Sequence, residues 1–384
     1  ALVGCSSFAV WGDKSEDGSL ILGRNFDFYA GDDFAKNKII SFLDPTEGHK
    51  FMSVTWAGMT GVVSGMNEHG LTVTINAGKS KIPLVAKTPI SILTREILQY
   101  ATTLEEAIAI AKTRQVFVSE SILVGSARDK KAIIIEVSPH NFGVYEVPDS
   151  NQLICSNHFQ STAYAEDKNN QKHIFESHSK YRYERMDELL ENQNKITPEI
   201  AVEILRNKQG LDDNNIGYGN EKALNQLLAH HGIVFKPEQR LVWVSSNPYQ
   251  LGEFVAYDLN KIFKDSLSQR KGSTLSVPTK NIEKDSFLYT QAYQNYEKYR
   301  VEIQQIKQAV TDNKHLAPEY LEEFKRLNPE FWETHYWVGL YNYNRKYYRA
   351  ALNNFMEAST KEITTVPEKA LVHSYIRRLK RKLK

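Results

Sequence analysis

The stretch 1–28, ALVGCSSFAVWGDKSEDGSLILGRNFDF, constrains this chain more than any other. A short apolar run over 6–11 reads as a strand, the polar 12–18 as a turn, and 19–24 as a returning strand. Such a hairpin brings Arg24-Asn25-Phe26-Asp27 back beside Cys5. A thiol, a guanidinium and a carboxylate then share one strand end, which an apolar hairpin does not otherwise need. A lone cysteine is most often a small buried hydrophobe. Cys5 differs by its setting: Gly4 before it has no side chain to hinder attack on its carbonyl, and Ser6 and Ser7 follow with hydroxyls.

The rest of the chain is ordinary by composition. It has 384 residues, enough for two or three domains, with 41% hydrophobic and 24% charged residues. These are the proportions of a soluble globular protein. A formal charge of +2 gives no reason to expect nucleic acid as a partner. No apolar run approaches bilayer length, so stable membrane insertion is not expected. The chain starts so close to Cys5 that an upstream signal would already be gone, and an extracytoplasmic location stays open. Two cysteines do not make a disulfide framework.

Short β-rich runs occupy 38–43, 52–57 and 61–66, and a Gly-containing turn leads into the alternating 71–77, LTVTINA, ending at Asn76. Pro89 opens a helix with Ile90, Leu93, Ile97 and Leu98 on one face, and Thr103 to Glu106 forms a capping box that starts a second. Strands return at 121–126, 132–137, 142–147 and 152–156, the last followed by Asn157-His158-Phe159. Helical patches at 179–190, 198–206 and 220–230 precede strands at 233–236, 240–246 and 254–259. No spacing of His, Cys, Asp or Glu makes a metal site; Met66 and His69 are assigned to packing or solvent, and Cys155 to the core.

Cys5-Ser6-Ser7 followed by Gly23-Arg24-Asn25-Phe26-Asp27 resembles the opening of the choloylglycine hydrolase and acyl-coenzyme A:isopenicillin N (6-aminopenicillanic acid) acyltransferase branch of the N-terminal-nucleophile hydrolases. The resemblance spans about residues 4–260. It implies an α+β fold, a four-layer αββα sandwich. It also implies that the chain is cut just before Cys5, whose thiol then attacks an amide carbonyl while its own α-amine carries the proton. An α-amine titrates near ~8 and a thiol near ~8.5, so exchange between them is nearly level. No cofactor or metal is implied.

By the same resemblance Arg24 and Asp27 hold the thiol and amine, Asn76 supplies an oxyanion donor, and Asn157 contacts the amine or substrate. A Ser-x-x-Arg arginine maps onto Arg182, with Arg185 one turn on as the competing assignment. Residues 1–4 precede Cys5, so the free amine requires their removal. The expected partner is a small acyl amide, its acyl group passing to water or to another amine.

Past 264 the composition shifts. Residues 265–286 read as a Ser-, Thr- and Lys-rich linker, and 287–384 as an all-α extension with a tetratricopeptide-like hairpin over 331–360. One such hairpin cannot bury its own face, so it docks on the catalytic domain or on another copy of itself. The basic residues over 376–384 read as a solvated helix end. The rival reading is an inactive scaffold that recruits a partner through the helical tail.

Overall fold

The computed structural model describes residues 4–80, 87–264 and 274–384. The chain divides into two compact units: residues 1–174, 179–207 and 227–284, and residues 175–178, 208–226 and 285–384. Of the linker expected at 265–286, residues 265–273 lie outside the described residues.

The first unit opens with the hairpin of β1 (Ser6–Val10) and β2 (Ile21–Phe26), paired so that Ser7 faces Arg24 and Ser6 faces Asn25. A short α1 (Asp32–Lys36) precedes the meander β3 (Ile39–Leu43), β4 (Phe51–Thr55), β5 (Ser64–Asn67) and β6 (Leu71–Ala77). Then come α2 (Ile90–Tyr100) and α3 (Leu104–Thr113). Both halves of the capping box at α3 form: the Thr103 side chain accepts the Glu106 N–H, and the Glu106 carboxylate accepts the Thr103 N–H. Strands β7 (Glu120–Ser126), β8 (Lys131–Val137), β9 (Phe142–Tyr145) and β10 (Gln152–Cys155) follow. Next are α4 (Lys168–Glu176), α5 (Ser179–Glu191) and α6 (Pro198–Leu205), the last capped by Thr197 with Pro198 in its first turn. Strands β11 (His231–Lys236), β12 (Leu241–Ser245) and β13 (Phe254–Asp258) run into α7 (Leu259–Lys264).

Two antiparallel sheets result, with strand orders β10-β1-β2-β11-β12-β13 and β3-β4-β5-β6-β7-β8-β9. Alternation assigns their faces. Ala9 and Leu22 of the first sheet pack with Met52, Met66, Leu123 and Ile134 of the second in one core between the sheets. Leu71, Val73, Ile122 and Val124 point the other way, onto Leu93, Ile97, Ala107 and Ala111 of α2 and α3. The first sheet is covered in turn by α5 against β1 and β10, and by α6 against β2 and β11. The fold is therefore α+β, with four layers in the order αββα.

One expected helix is absent. Residues 220–230 form turns, and β11 begins at His231. The Asn220 side chain accepts the Lys222 N–H and donates to the Ile216 and Glu362 carbonyls, local bonds that compete with a helical ladder. Leu227 adopts a positive φ of 53°, which breaks helical geometry.

The second unit is helical: α8 (Gln291–Asp312), α9 (Pro318–Leu327), α10 (Trp332–Asn344), α11 (Tyr348–Thr360) and α12 (Val366–Lys382). The α10–α11 hairpin closes where the Phe355 ring covers Gly339; a Cβ there would sit 3.1 Å from that ring. Tyr375 of α12 stacks on the other partner, its centroid 4.6 Å from Phe355. Val372, Ile376 and Leu379 are buried while Arg377, Arg378, Lys380 and Arg381 are exposed, so the basic end of α12 is a solvated face.

Candidate active site

Parity along β1 puts Cys5 and Ser7 on the face of Ala9, and parity along β2 puts Arg24 and Phe26 on the face of Leu22. That is the face turned toward the second sheet. The strand pairing reaches past β1, because the Gly4 N–H donates to the Asp27 carbonyl at 3.0 Å. Cys5, Arg24 and Asp27 thus meet at one strand end, all essentially without solvent exposure.

Arg24 bridges the two sheets. Its Nη2 donates to Cys5 Sγ at 3.7 Å and to the Ile75 carbonyl, while Nη1 donates to the Val63 carbonyl at 3.0 Å and to Ser64 Oγ. The guanidinium also lies 4.4 Å over the Phe26 ring. Burial pushes the Cys5 thiol up, and the Asp27 and Glu120 carboxyls add to the rise. Arg24 and the Asp27 backbone N–H pull it back. The net rise keeps the thiol protonated at neutral pH, so a base has to take its proton as it attacks.

Arg182 approaches from α5. Its Nη1 donates to the Cys5 carbonyl at 2.6 Å and to Ser6 Oγ at 2.8 Å, and its Nη2 donates to Asn157 Oδ1 at 2.7 Å. Asn157 Nδ2 in turn donates to the Ala77 carbonyl at 2.8 Å, and its backbone N–H donates to Ser179 Oγ. Arg185, one turn on, reaches Asn207 and Glu188 instead. The structure brings Arg182 to Cys5 and leaves Arg185 elsewhere.

Asn76 faces the first sheet, where Oδ1 accepts Ser7 Oγ–H at 2.8 Å and Nδ2 donates to the Cys155 carbonyl at 3.1 Å. Its amide is anchored at Ser7, two residues past Cys5. Cys155 pairs with Ser7 across β1 and lies in the core between the sheets; burial pushes its thiol far up. The two thiols differ in neighbours: only Cys5 has a guanidinium at its sulfur.

Three further residues belong to this neighbourhood, none marked by sequence spacing. His231 Nε2 meets Ser64 Oγ at 2.9 Å, and its Nδ1 meets His230 Nδ1 at 2.8 Å, extending a polar chain from Arg24. Burial lowers the His230 pKa to about 3, helped by Lys38 and Arg24, so this pair is neutral in ordinary buffers. Glu120 opens β7 opposite Ala77; its Oε2 is enclosed and has no hydrogen-bond partner among the described residues. Burial pushes its carboxyl up to about 8 against the pull of Arg24.

This makes Glu120 a measurable reporter. Between its ordinary 4.5 and about 8 the folded chain binds one more proton than the unfolded chain, so stability falls as pH rises through that window. Glu120→Gln removes that slope. Urea midpoints measured from pH 5 to pH 8 should show the variant gaining on wild type; parallel curves would contradict the assignment.

Face-to-face antiparallel sheets between helical layers are the architecture of the N-terminal-nucleophile hydrolases, a class of carbon–nitrogen bond hydrolases and related acyltransferases, and the family match assigns the chain to that class. The chain belongs to the acyl-coenzyme A:6-aminopenicillanic acid acyl-transferase family, whose model matches residues 14–247. Arg24, Asp27, Asn76, Asn157 and Arg182 lie inside the match and Cys5 just before it. The chain is also similar to an uncharacterized protein of Archaeoglobus fulgidus, 28% identical over 146 residues, or 37% of this chain. The match spans 24% of that relative's length. Among solved structures it is similar to the Caenorhabditis elegans ortholog of N-acylethanolamine-hydrolyzing acid amidase, at 18% identity and a TM-score of 0.43 over 61% of this chain and 93% of that one. A mutant of the conjugated bile acid hydrolase from Clostridium perfringens matches at 15% identity and a TM-score of 0.44, over 67% and 93%.

Proposed function

We propose that this protein is a cysteine amidohydrolase that cleaves a linear, non-peptide amide through an acyl-enzyme at Cys5. The observation that carries this reading is the convergence on one thiol of Arg24 at its sulfur, Arg182 at its carbonyl and Asp27 beside it.

Activation comes first. Cys5 Sγ attacks the Gly4 carbonyl carbon and its proton passes to the departing Cys5 nitrogen, so formation of the thioester frees the α-amine; water then cleaves that thioester, leaving a Gly4 carboxylate and freeing the thiol. In turnover the amine takes the thiol proton as sulfur bonds to the acyl carbon. The second N–H of Asn76 and a backbone N–H stabilise the oxyanion, worth roughly 3 kcal/mol per donor in comparable sites. The carbon–nitrogen bond then breaks, the proton passes to the leaving amine, and water hydrolyses the thioester. Asp27 holds the α-ammonium, and Arg182 with Asn157 fixes the residue that carries it. The same acyl-enzyme serves acyl transfer when an amine replaces water, the reading that the family's name favours.

The acyl side is apolar. Phe26 and Cys5 share one core cluster, against which the half-buried Phe28, Trp56 and Met59 pack. Phe34 stands over Trp56 and His230, with centroids 4.9 and 4.5 Å away. A panel of acyl amides tested on the processed protein should release free amine, fastest from long or aromatic acyl groups. Release that survives in Cys5→Ala, or no release from any member, would overturn this reading.

A further inference from the structure

The turn between β5 and β6 holds a second cluster that the proposed reaction does not use. His49, Glu68 and His69 each turn one ligand atom into a common space, the three atoms lying within 4.8 Å of one another. The His49 and His69 rings are 4.4 Å apart by centroid, nearly perpendicular at 78°. Residues 49 and 69 are twenty positions apart, so their meeting is a product of the fold.

The backbone holds these side chains in place. Lys50 and Glu68 exchange two bonds: the Glu68 N–H donates to the Lys50 carbonyl and the Lys50 N–H to Glu68 Oε1, both at 2.9 Å. Asn67 Oδ1 accepts the His69 N–H at 3.0 Å, and the His49 N–H donates to the Gln99 carbonyl at 2.7 Å. Gly48 and Gly70 flank the cluster with φ of 84° and 75°. A Cβ on them would lie 2.3 Å from the Gln99 carbonyl oxygen and 2.5 Å from that of Pro237, so both positions require glycine.

We propose that His49, Glu68 and His69 bind one divalent transition-metal ion of the zinc type. Two imidazoles and a carboxylate are a donor set of the right borderline softness. Zinc bonds of ~2.0–2.1 Å place tetrahedral ligands roughly 3.4 Å apart, a contraction that the exposed His69 makes by side-chain rotation. Water completes the shell. The site is separate from Cys5, because the seven residues of β6 carry the chain on the order of 20 Å from this turn to the Asn76 end. Its role is a clip that ties the loop before β4 to the turn before β6.

Calorimetric titration of chelator-treated, full-length protein with zinc chloride tests this. Wild type should bind one Zn2+ with a Kd of about 10 µM or tighter, and His69→Ala should weaken binding at least about tenfold. Glu68→Gln, which keeps the acceptor for Lys50, should weaken it less. Zinc should also raise the melting temperature of wild type and not of His69→Ala. Absence of saturable binding, or equal affinity in wild type and His69→Ala, overturns the site.

Discussion

Cys5→Ala is expected to lower amide cleavage about 10³-fold or more while leaving the fold intact, because no other group can form the acyl-enzyme. The side chain sits in the core with 1% exposure, and replacing a thiol by a methyl leaves only a small void. The cost in stability should stay near ~1 kcal/mol, at the lower end of core truncations. Kinetics on the amide panel together with a thermal melt separates the two effects. Cys155→Ala is the matched comparison: it removes an equally buried thiol from the core between the sheets, and should cost stability without costing turnover. Equal activity in both variants and wild type would rule out Cys5 as the nucleophile.

Arg24→Met carries the second large effect, on stability as well as rate. Arg24 is fully buried and holds the Val63 and Ile75 carbonyls, Ser64 Oγ and the Cys5 sulfur at once. Its removal strips those groups of their donor and takes away the positive charge that opposes Asp27 at the thiol. Breaking a buried arrangement of this kind costs roughly 3–5 kcal/mol. With the guanidinium gone, the remaining influences on Cys5 all raise its pKa except the Asp27 N–H, so residual turnover should shift to higher pH. Arg24→Lys should recover only part of either loss, since a point-charge ammonium cannot span four acceptors spread over both sheets. Urea midpoints and a pH–rate profile read both; an Arg24→Met protein with wild-type midpoint and rate would refute the bridging role.

Much of this is legible in the sequence where the signal is local. Alternation and the polar turn located the first hairpin, and its register brings Arg24 and Asp27 to Cys5. Thr103 and Glu106 announced a helix start by their own spacing. Asn76 and Asn157 stood at strand ends by pattern, and the geometry adds what pattern lacks: Asn76 is anchored on Ser7 and Cys155, Asn157 on Ala77 and Arg182. Only the packing of α5 on β1 distinguishes Arg182 from Arg185, because two arginines one turn apart look alike in sequence. Glu120, Ser64, His230 and His231 carried no motif; they join the site through contacts across dozens of residues. The helix expected over 220–230 failed because Asn220 spends its side chain on local carbonyls and amides, an interaction that periodicity does not register.

The most direct measurement is intact mass and peptide mapping of the purified protein after brief exposure to an amide-mimicking thiol electrophile. The expected result is a chain whose first residue is Cys5, carrying one adduct on that residue and none on Cys155, with Cys5→Ala neither cut nor labelled. A chain that keeps the Gly4–Cys5 bond and labels neither cysteine, or labels both alike, would contradict a nucleophile freed at a new chain start.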